Sequence, residues 1–391
     1  MLILFDSKFM ASKILVSLVG EQTIRNIQLI KEFDFVDSFF FISTEGMEKK
    51  GTREWIIKSA QLSDDKVQLP ILVNEHDFND IAEKLSGIKF ADSDDIFVNI
   101  SDGTKIMSIV AFDFFKELGA KIFYVTGKNS EYIKIFPKSN QKNLIFNYRL
   151  SVKEYLEAYG FSITKIGSVS QSFSVIESIF NYFAPFFEPE TSLVSPHNFV
   201  FSELQKYRGI SSSKLISIDK IAGLKNLLAD LNFTPKYIDS LTKDEIILLS
   251  GGWFEEYIHY KIQKEFNLPK NHIGIGVFVE KQGVPNEFDV VFTLNNKFYT
   301  IECKTSVYYM ENAKKRTTIG DFVYKCDSLQ SEFGLYPITA IATLSALKNK
   351  EGKVNPIAET HYKRAELYNV TILAYSEIVS GKNFTELLNI S

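Results

Sequence analysis

Apolar and polar positions alternate between two periods from Lys13 onward. Lys13–Val19 (KILVSLV) is a continuous apolar run of strand length. After the Gly20-Glu21-Gln22-Thr23 turn, apolar residues recur at Ile24, Ile27, Ile30 and Phe33, the spacing of one helix face. Ser38–Ile42 (SFFFI) reads as a second buried strand ending in Ser43-Thr44. A helix around Arg53–Leu62, a strand at Val67–Val73 and a helix over Asn74–Leu85 follow. Asp95–Ile100 (DIFVNI) is a strand, Ser101–Lys105 a glycine-containing loop, Ile106–Leu118 a helix and Lys121–Thr126 another strand. Such alternation calls for crossovers and a mostly parallel sheet covered on both faces. Residues 12–148 are therefore predicted to be a Rossmann-like α/β domain, preceded by a leader at residues 1–11.

The pattern changes over residues 149–245, rich in Ser, Pro and Phe, with helix-like pieces at Val152–Tyr159, Val175–Phe183 and Ile218–Leu231. This reads as a connecting region. Residues 246–391 open with an amphipathic run carrying Phe254, Ile258, Ile262 and Phe266. Strand patterns at Gly274–Glu280, Glu287–Leu294 and Phe298–Thr305 follow, the last two separated by Asn295-Asn296-Lys297, a hairpin turn. A helix at Gly320–Phe333, a strand at Pro337–Leu344, and a helix and strand near Glu359–Tyr375 complete a small mixed α/β unit.

Composition narrows the possibilities. Of 391 residues, 45% are hydrophobic and 24% charged, with Phe 34, Tyr 18 and Trp 2; a chain this apolar folds. Lys+Arg 44 against Asp+Glu 48 gives a net charge of −4, so any nucleic-acid contact must be local rather than a chain-wide basic coat. Cys303 and Cys326 cannot make a disulfide framework. With no apolar stretch of membrane-spanning length, the expectation is a cytoplasmic protein without a membrane partner.

The chemistry concentrates in the predicted hairpin. Glu302 and Lys304 stand two residues apart on one strand and share a face, while Cys303 points away. The hairpin turn brings Asp289 beside them. Two carboxylates on one sheet face, with the main-chain carbonyl of Cys303 as a further oxygen, suit Mn²⁺ or Mg²⁺. Lys304 would orient or help deprotonate the attacking water and stabilise developing charge. In Gly251-Gly252-Trp253-Phe254-Glu255-Glu256, Glu255 falls on or beside the apolar helix face and is the preferred third carboxylate. Glu256 groups with His259, Tyr260 and Gln263 on a more solvated side. The set Glu255, Asp289, Glu302-Cys303-Lys304 resembles the PD-(D/E)xK nuclease superfamily. Lys314-Lys315-Arg316 would add a phosphate contact, and Tyr308 and Tyr309 a stacking platform.

A second constellation lies in the first domain. Asn99-Ile100-Ser101-Asp102-Gly103-Thr104-Lys105-Ile106-Met107 joins a buried strand to a helix. Gly103, the helix N-terminal amides, the Thr104 hydroxyl and the Lys105 charge suit a phosphate-bearing ligand at the carboxyl ends of the strands. Gln22, Thr23 and Ser43 would line the same crevice. The loop is neither GxGxxG nor a Walker loop, which disfavours a dinucleotide cofactor or a nucleoside triphosphatase.

Together, the G-E-Q-T turn, the N-I-S-D-G-T-K-I-M loop and the G-G-W-F-E-E and E-C-K segments resemble the ancillary nucleases of type III CRISPR systems. In these a CRISPR-associated Rossmann fold (CARF) domain is joined to a PD-(D/E)xK domain. The family loop usually reads Thr-Gly-Gly-Thr-Lys; here Ser101-Asp102-Gly103 replaces its first three residues. The resemblance implies a homodimer enclosing a cyclic oligoadenylate, the tetra-adenylate first among ring sizes. Gln22, Thr23, Ser43, Asp102, Gly103, Thr104 and Lys105 of each subunit would contact it. It also implies ligand-triggered, Mn²⁺- or Mg²⁺-dependent cutting of single-stranded RNA and/or DNA in antiviral defence. The alternative is a nucleotide-sensing regulatory module with an inactive nuclease fold.

Overall fold

The computed structural model describes residues 12–127, 130–138, 142–191, 195–307, 318–334 and 337–390. The leader at residues 1–11, Tyr308, Tyr309 and the Lys314-Lys315-Arg316 stretch lie outside the described residues. The chain forms two compact units. The first is built on the residues through Ser162, the second on those from Ile163, with Thr293–Asn296 and Gly334 going with the first.

The first unit holds a seven-stranded sheet made of β1 (Lys13–Leu18), β2 (Ser38–Ser43), β3 (Ile71–Leu72), β4 (Asp95–Asn99), β5 (Lys121–Val125), β6 (Glu131–Phe136) and β7 (Leu144–Ile145). Its order is β3-β2-β1-β4-β5-β6-β7. Strands β1 to β5 pair in parallel, while β6 and β7 close the edge antiparallel. Strand β1 buries every residue after Lys13, as a strand covered on both faces must. On one face Val16, Val98 and Ile122 meet Ile81 and Leu85, and Met107, Val110 and Phe115, from two covering helices. On the other face, Phe33 sets its ring edge-on to Phe97 and Phe123. The chain crosses over between β1 and β4, so the loops after these strands flank the switch point where open α/β sheets bind ligands. The strand expected over Val67–Val73 shortens to Ile71–Leu72, with Val67 held by an isolated bridge to Phe39.

The second unit is a mixed α/β layer. Strand β8 (Ser162–Ile166) is followed by the two-stranded pair β9 (Ile216–Ser217) and β10 (Ser240–Leu241). Then come β11 (Ile273–Lys281), β12 (Val284–Leu294), β13 (Lys297–Lys304), β14 (Ile338–Thr343) and β15 (Val370–Leu373). The main sheet runs β15-β14-β13-β12-β11-β8, so a strand from the expected connecting region supplies its edge. The turn between β12 and β13 is two residues, Asn295 and Asn296, with φ of 50° and 60°. That is the left-handed pair a tight hairpin demands, and Lys297 begins the next strand. The Trp253–Phe266 helix buries Phe254, Ile258 and Ile262. Its other flank stacks Tyr257 on Phe180 at 3.8 Å and Trp253 on Phe183 at 5.3 Å. Phe180 and Phe183 of the middle segment are therefore core of the second unit.

Candidate nuclease and nucleotide sites

Strands β12 and β13 bring Asp289, Glu302 and Lys304 together. Asp289 and Glu302 are 7% and 8% exposed, and two buried carboxylates need compensation. The Lys304 ammonium supplies it. Its Nζ lies 2.7 Å from Asp289 Oδ2, 2.9 Å from Glu302 Oε1 and 3.0 Å from the Cys303 carbonyl. Asp289 Oδ2 also accepts from the Cys303 N–H at 2.8 Å. Burial and the Glu302 charge raise the Asp289 pKa, and the two carboxylates hold Lys304 firmly charged despite its burial. Glu255 lies close enough for its carboxyl to be pushed up to about 8, first by burial and then by the Asp289 charge.

Glu256 is the correction at this end. It is 6% exposed rather than solvated, and it accepts from Ser170 N at 2.9 Å, Ser170 Oγ at 2.7 Å and Gln171 N at 3.3 Å. It ties the middle segment to the helix, leaving Glu255 as the carboxylate that faces Asp289. Two further residues join the cluster. Glu287 feels the Asp289 charge; it stands two positions before Asp289 on the same strand face, a signal that was readable. Lys325 Nζ lies 2.7 Å from Glu302 Oε2; it comes from the Ile319–Gln330 helix, and nothing in the local pattern announced it.

Among the described residues, no three His, Cys, Asp or Glu side chains form a ready metal cage. The oxygen set nevertheless fits a hard cation. Asp289, Glu302 and the Cys303 carbonyl already converge on one positive charge, and all three are oxygens of the kind Mg²⁺ and Mn²⁺ take. The Cys303 thiol is no ligand. It is buried, leans toward Ile301 O at 3.8 Å, and burial with the surrounding carboxylates keeps it protonated.

At the switch point of the first unit, the sequence-predicted residues divide into two groups. Gly103 and Lys105 are exposed, and Gln22 and Thr104 half-buried. Thr104 caps the Lys105–Glu117 helix, accepting from Met107 N at 3.2 Å and donating to Glu75 O at 3.1 Å. Three others face inward. Thr23 is fully buried and donates to Ala158 O at 2.6 Å. Ser43 is fully buried, its hydroxyl without a partner among the described residues. Asp102 is 7% exposed, and its carboxylate accepts from the amides of Gly20, Gln22 and Gly103, with Arg25 nearby; burial pushes it up to about 6.

Asp102 therefore fastens the loop after β1 to the loop after β4. A side chain at position 20 would stand 2.3 Å from Asp102 Oδ1, which is why Gly20 is needed. Behind them Asn99 Nδ2 donates to Asn26 Oδ1 at 2.8 Å, Asn26 Nδ2 to Leu18 O at 2.9 Å and Arg25 Nη1 to Ser101 O at 2.7 Å. These framework residues were missed, although a polar Asn26 within an apolar helix face was a visible clue.

A crevice-forming Rossmann-like sheet and a carboxylate–lysine hairpin in one chain define a two-domain protein with a ligand-binding module and a nuclease module. Residues 14–155 match the family described as Card1 CARF domain, and residues 242–379 the one described as Card1-like endonuclease domain. These cover most of the chain, which belongs to this family of type III CRISPR ancillary nucleases, a CARF domain followed by an endonuclease domain.

The fold is shared with Can2 from Sulfobacillus thermosulfidooxidans, solved with cyclic tetra-adenylate (TM-score 0.67, 18% identity, 94% of this chain and 98% of that one). It is also shared with protein VC1899 from Vibrio cholerae (0.69, 17%, 94% and 95%). A type III CRISPR defence DNA nuclease activated by cyclic oligoadenylate aligns at TM-score 0.52 and 12% identity, over 91% of this chain and 52% of that one. No curated protein matches significantly. Among the described residues, no helix is long and apolar enough to cross a membrane.

Proposed function

We propose that this chain is a metal-dependent nuclease, switched on by cyclic tetra-adenylate or a related cyclic oligoadenylate, that cuts single-stranded RNA and/or DNA in type III CRISPR antiviral defence. The observation that carries the nuclease half is the convergence of Asp289, Glu302 and the Cys303 carbonyl on one charge. These three would hold Mn²⁺ or Mg²⁺, which supplies a hard positive charge against the phosphodiester. Lys304 keeps its proton at Nζ and hydrogen-bonds the attacking water and the developing oxyanion. Glu255 stands beside the cluster as its third carboxylate, close enough to feel the charge of Asp289. Lys325 holds the second Glu302 oxygen and so aims the first.

At the sensor end, Gln22, Gly103, Thr104 and Lys105 are the residues proposed to touch the ligand directly, with helix N-terminal amides beside the phosphates. Thr23 and Asp102 act through the backbone they hold, and the buried Ser43 hydroxyl keeps no partner among the described residues. The Lys105–Glu117 helix also exposes Ile106 and Ile109 next to the crevice, Ile109 to 63%. That unpartnered face supports a homodimer around a two-fold symmetric ring.

Cleavage of a single-stranded RNA and a single-stranded DNA in Mn²⁺, with and without cyclic tetra-adenylate, tests the reading. Cutting only with the activator is expected, and Glu302→Ala is expected to abolish it. Activator-independent cutting would remove the switch. No cutting with Mn²⁺ or Mg²⁺ at any ring size would favour the regulatory module.

A further inference from the structure

The second unit contains a groove of about 850 Å³ whose wall comes from the segment between the two family-matched regions. It is lined by Lys165, Lys236 and Lys243, by Tyr237 and Phe278, and by a run of serine hydroxyls. Its lining also includes Glu255 and Glu287, both of which feel the charge of Asp289. The groove therefore opens onto the carboxylate cluster. Arg208 is near enough to Glu255 to pull its pKa down.

The groove carries both signs, with Lys165, Lys236 and Lys243 beside Asp244, Glu245, Glu255, Glu256 and Glu287. Glu245 is occupied by Lys236 N at 2.7 Å and Thr242 N at 2.8 Å, and Glu256 by Ser170 and Gln171. These acids are turned into amides and hydroxyls. Among the described residues, none of Lys165, Lys236 and Lys243 is ion-paired. Lys165 lies over the Phe278 ring at 5.4 Å and Lys236 over the Tyr237 ring at 5.7 Å. A cation and an aromatic surface therefore come in adjacent pairs, twice. Tyr237 is 45% exposed.

We infer that this groove binds the single-stranded nucleic-acid substrate and leads its backbone to the Asp289–Glu302 cluster. The inference rests on the nuclease reading. Unpaired ammoniums meet phosphates, and the rings beside them meet bases, as in sequence-tolerant single-strand binding. A duplex has its bases stacked on one another and offers no face to Tyr237 or Phe278. A volume in the range that encloses a small ligand admits a few nucleotides of one strand rather than a double helix.

The test is binding of fluorescein-labelled oligouridylate, oligothymidylate and a duplex of equal length to the full chain, with cyclic tetra-adenylate and with Ca²⁺ replacing Mn²⁺ to hold off cleavage. The wild-type protein is expected to prefer the single strands. Lys165→Ala and Lys236→Ala should each weaken them and lower the slope of log affinity against log salt by about 0.7, one phosphate contact on a single strand. Tyr237→Ala should weaken binding by about fivefold or more.

Unchanged affinity and slope in all three variants would overturn the groove, as would equal binding of duplex and single strand, or no binding by the wild type. Turnover of bis(4-nitrophenyl) phosphate by the wild-type protein in Mn²⁺ reports the nuclease reading separately. If it is absent while the variants still lose binding, the groove stands and the nuclease reading falls.

Discussion

Glu255 shows what burial does to a single catalytic-type carboxylate. In the unfolded chain it titrates near 4.5; in the folded, ion-free protein it is pushed up to about 8. Between those values the folded state binds the extra proton, so stability falls as pH rises, which is the sign linkage requires. Metal-free protein is therefore expected to lose thermal stability from about pH 5 to pH 8, with a flatter profile for Glu255→Gln. A Glu255→Gln profile as steep as wild type, by calorimetry in chelator, would place the strain elsewhere.

The Asp289, Glu302 and Lys304 grouping was readable because strand periodicity and a hairpin turn are local rules. Lys325 was not, because helix-to-sheet packing places it beside Glu302 and no spacing in the chain reveals that. Residue type alone also cannot say whether a carboxylate faces a ligand or its own backbone. Asp102, expected at the ligand, also holds the amides of Gly20, Gln22 and Gly103, while its Oδ2 has no partner among the described residues.

At the scale of elements, Asp102 joins the loops after β1 and β4, with the Asn26–Asn99 hydrogen bond behind them. Gly20→Ala puts a methyl 2.3 Å from Asp102 Oδ1 and must separate the loops. It is expected to raise the cyclic tetra-adenylate concentration needed for half-maximal cutting while leaving turnover of bis(4-nitrophenyl) phosphate unchanged. An unaltered activation curve would show that the clamp does not shape the ligand site. The parallel strands β1, β2, β4 and β5 were visible as apolar runs because both of their faces are covered. Strands β6, β7 and β8 were not visible. They are partly solvated, and β8 pairs with residues far along the chain, so its sequence carries little of the signal that places it.

At the scale of the molecule, a ring ligand with two-fold symmetry calls for a second copy, and the exposed Ile106 and Ile109 face beside Lys105 is where that copy is proposed to sit. Sedimentation should give a dimer for the wild type and a monomer for Ile109→Asp, the variant losing its response to the activator. A monomeric wild-type protein that is still activated would contradict this arrangement. On that proposal, activation would consist of the ligand favouring one arrangement of a dimer over another. The division into a sheet with a switch point and a sheet with a carboxylate hairpin was legible from the chain. The share of the middle segment in the second unit was not, because its Phe180 and Phe183 declare their partners, Tyr257 and Trp253, only when folded.

The most direct measurement is Mn²⁺ binding to Lys304→Met, read by the spin resonance of free Mn²⁺. The three oxygens proposed to hold the ion are now satisfied by the Lys304 ammonium, so removing that charge should tighten Mn²⁺ binding while abolishing cleavage. Glu302→Gln should lose both. Weaker Mn²⁺ binding by Lys304→Met would contradict the assignment of Asp289, Glu302 and the Cys303 carbonyl as the cation site.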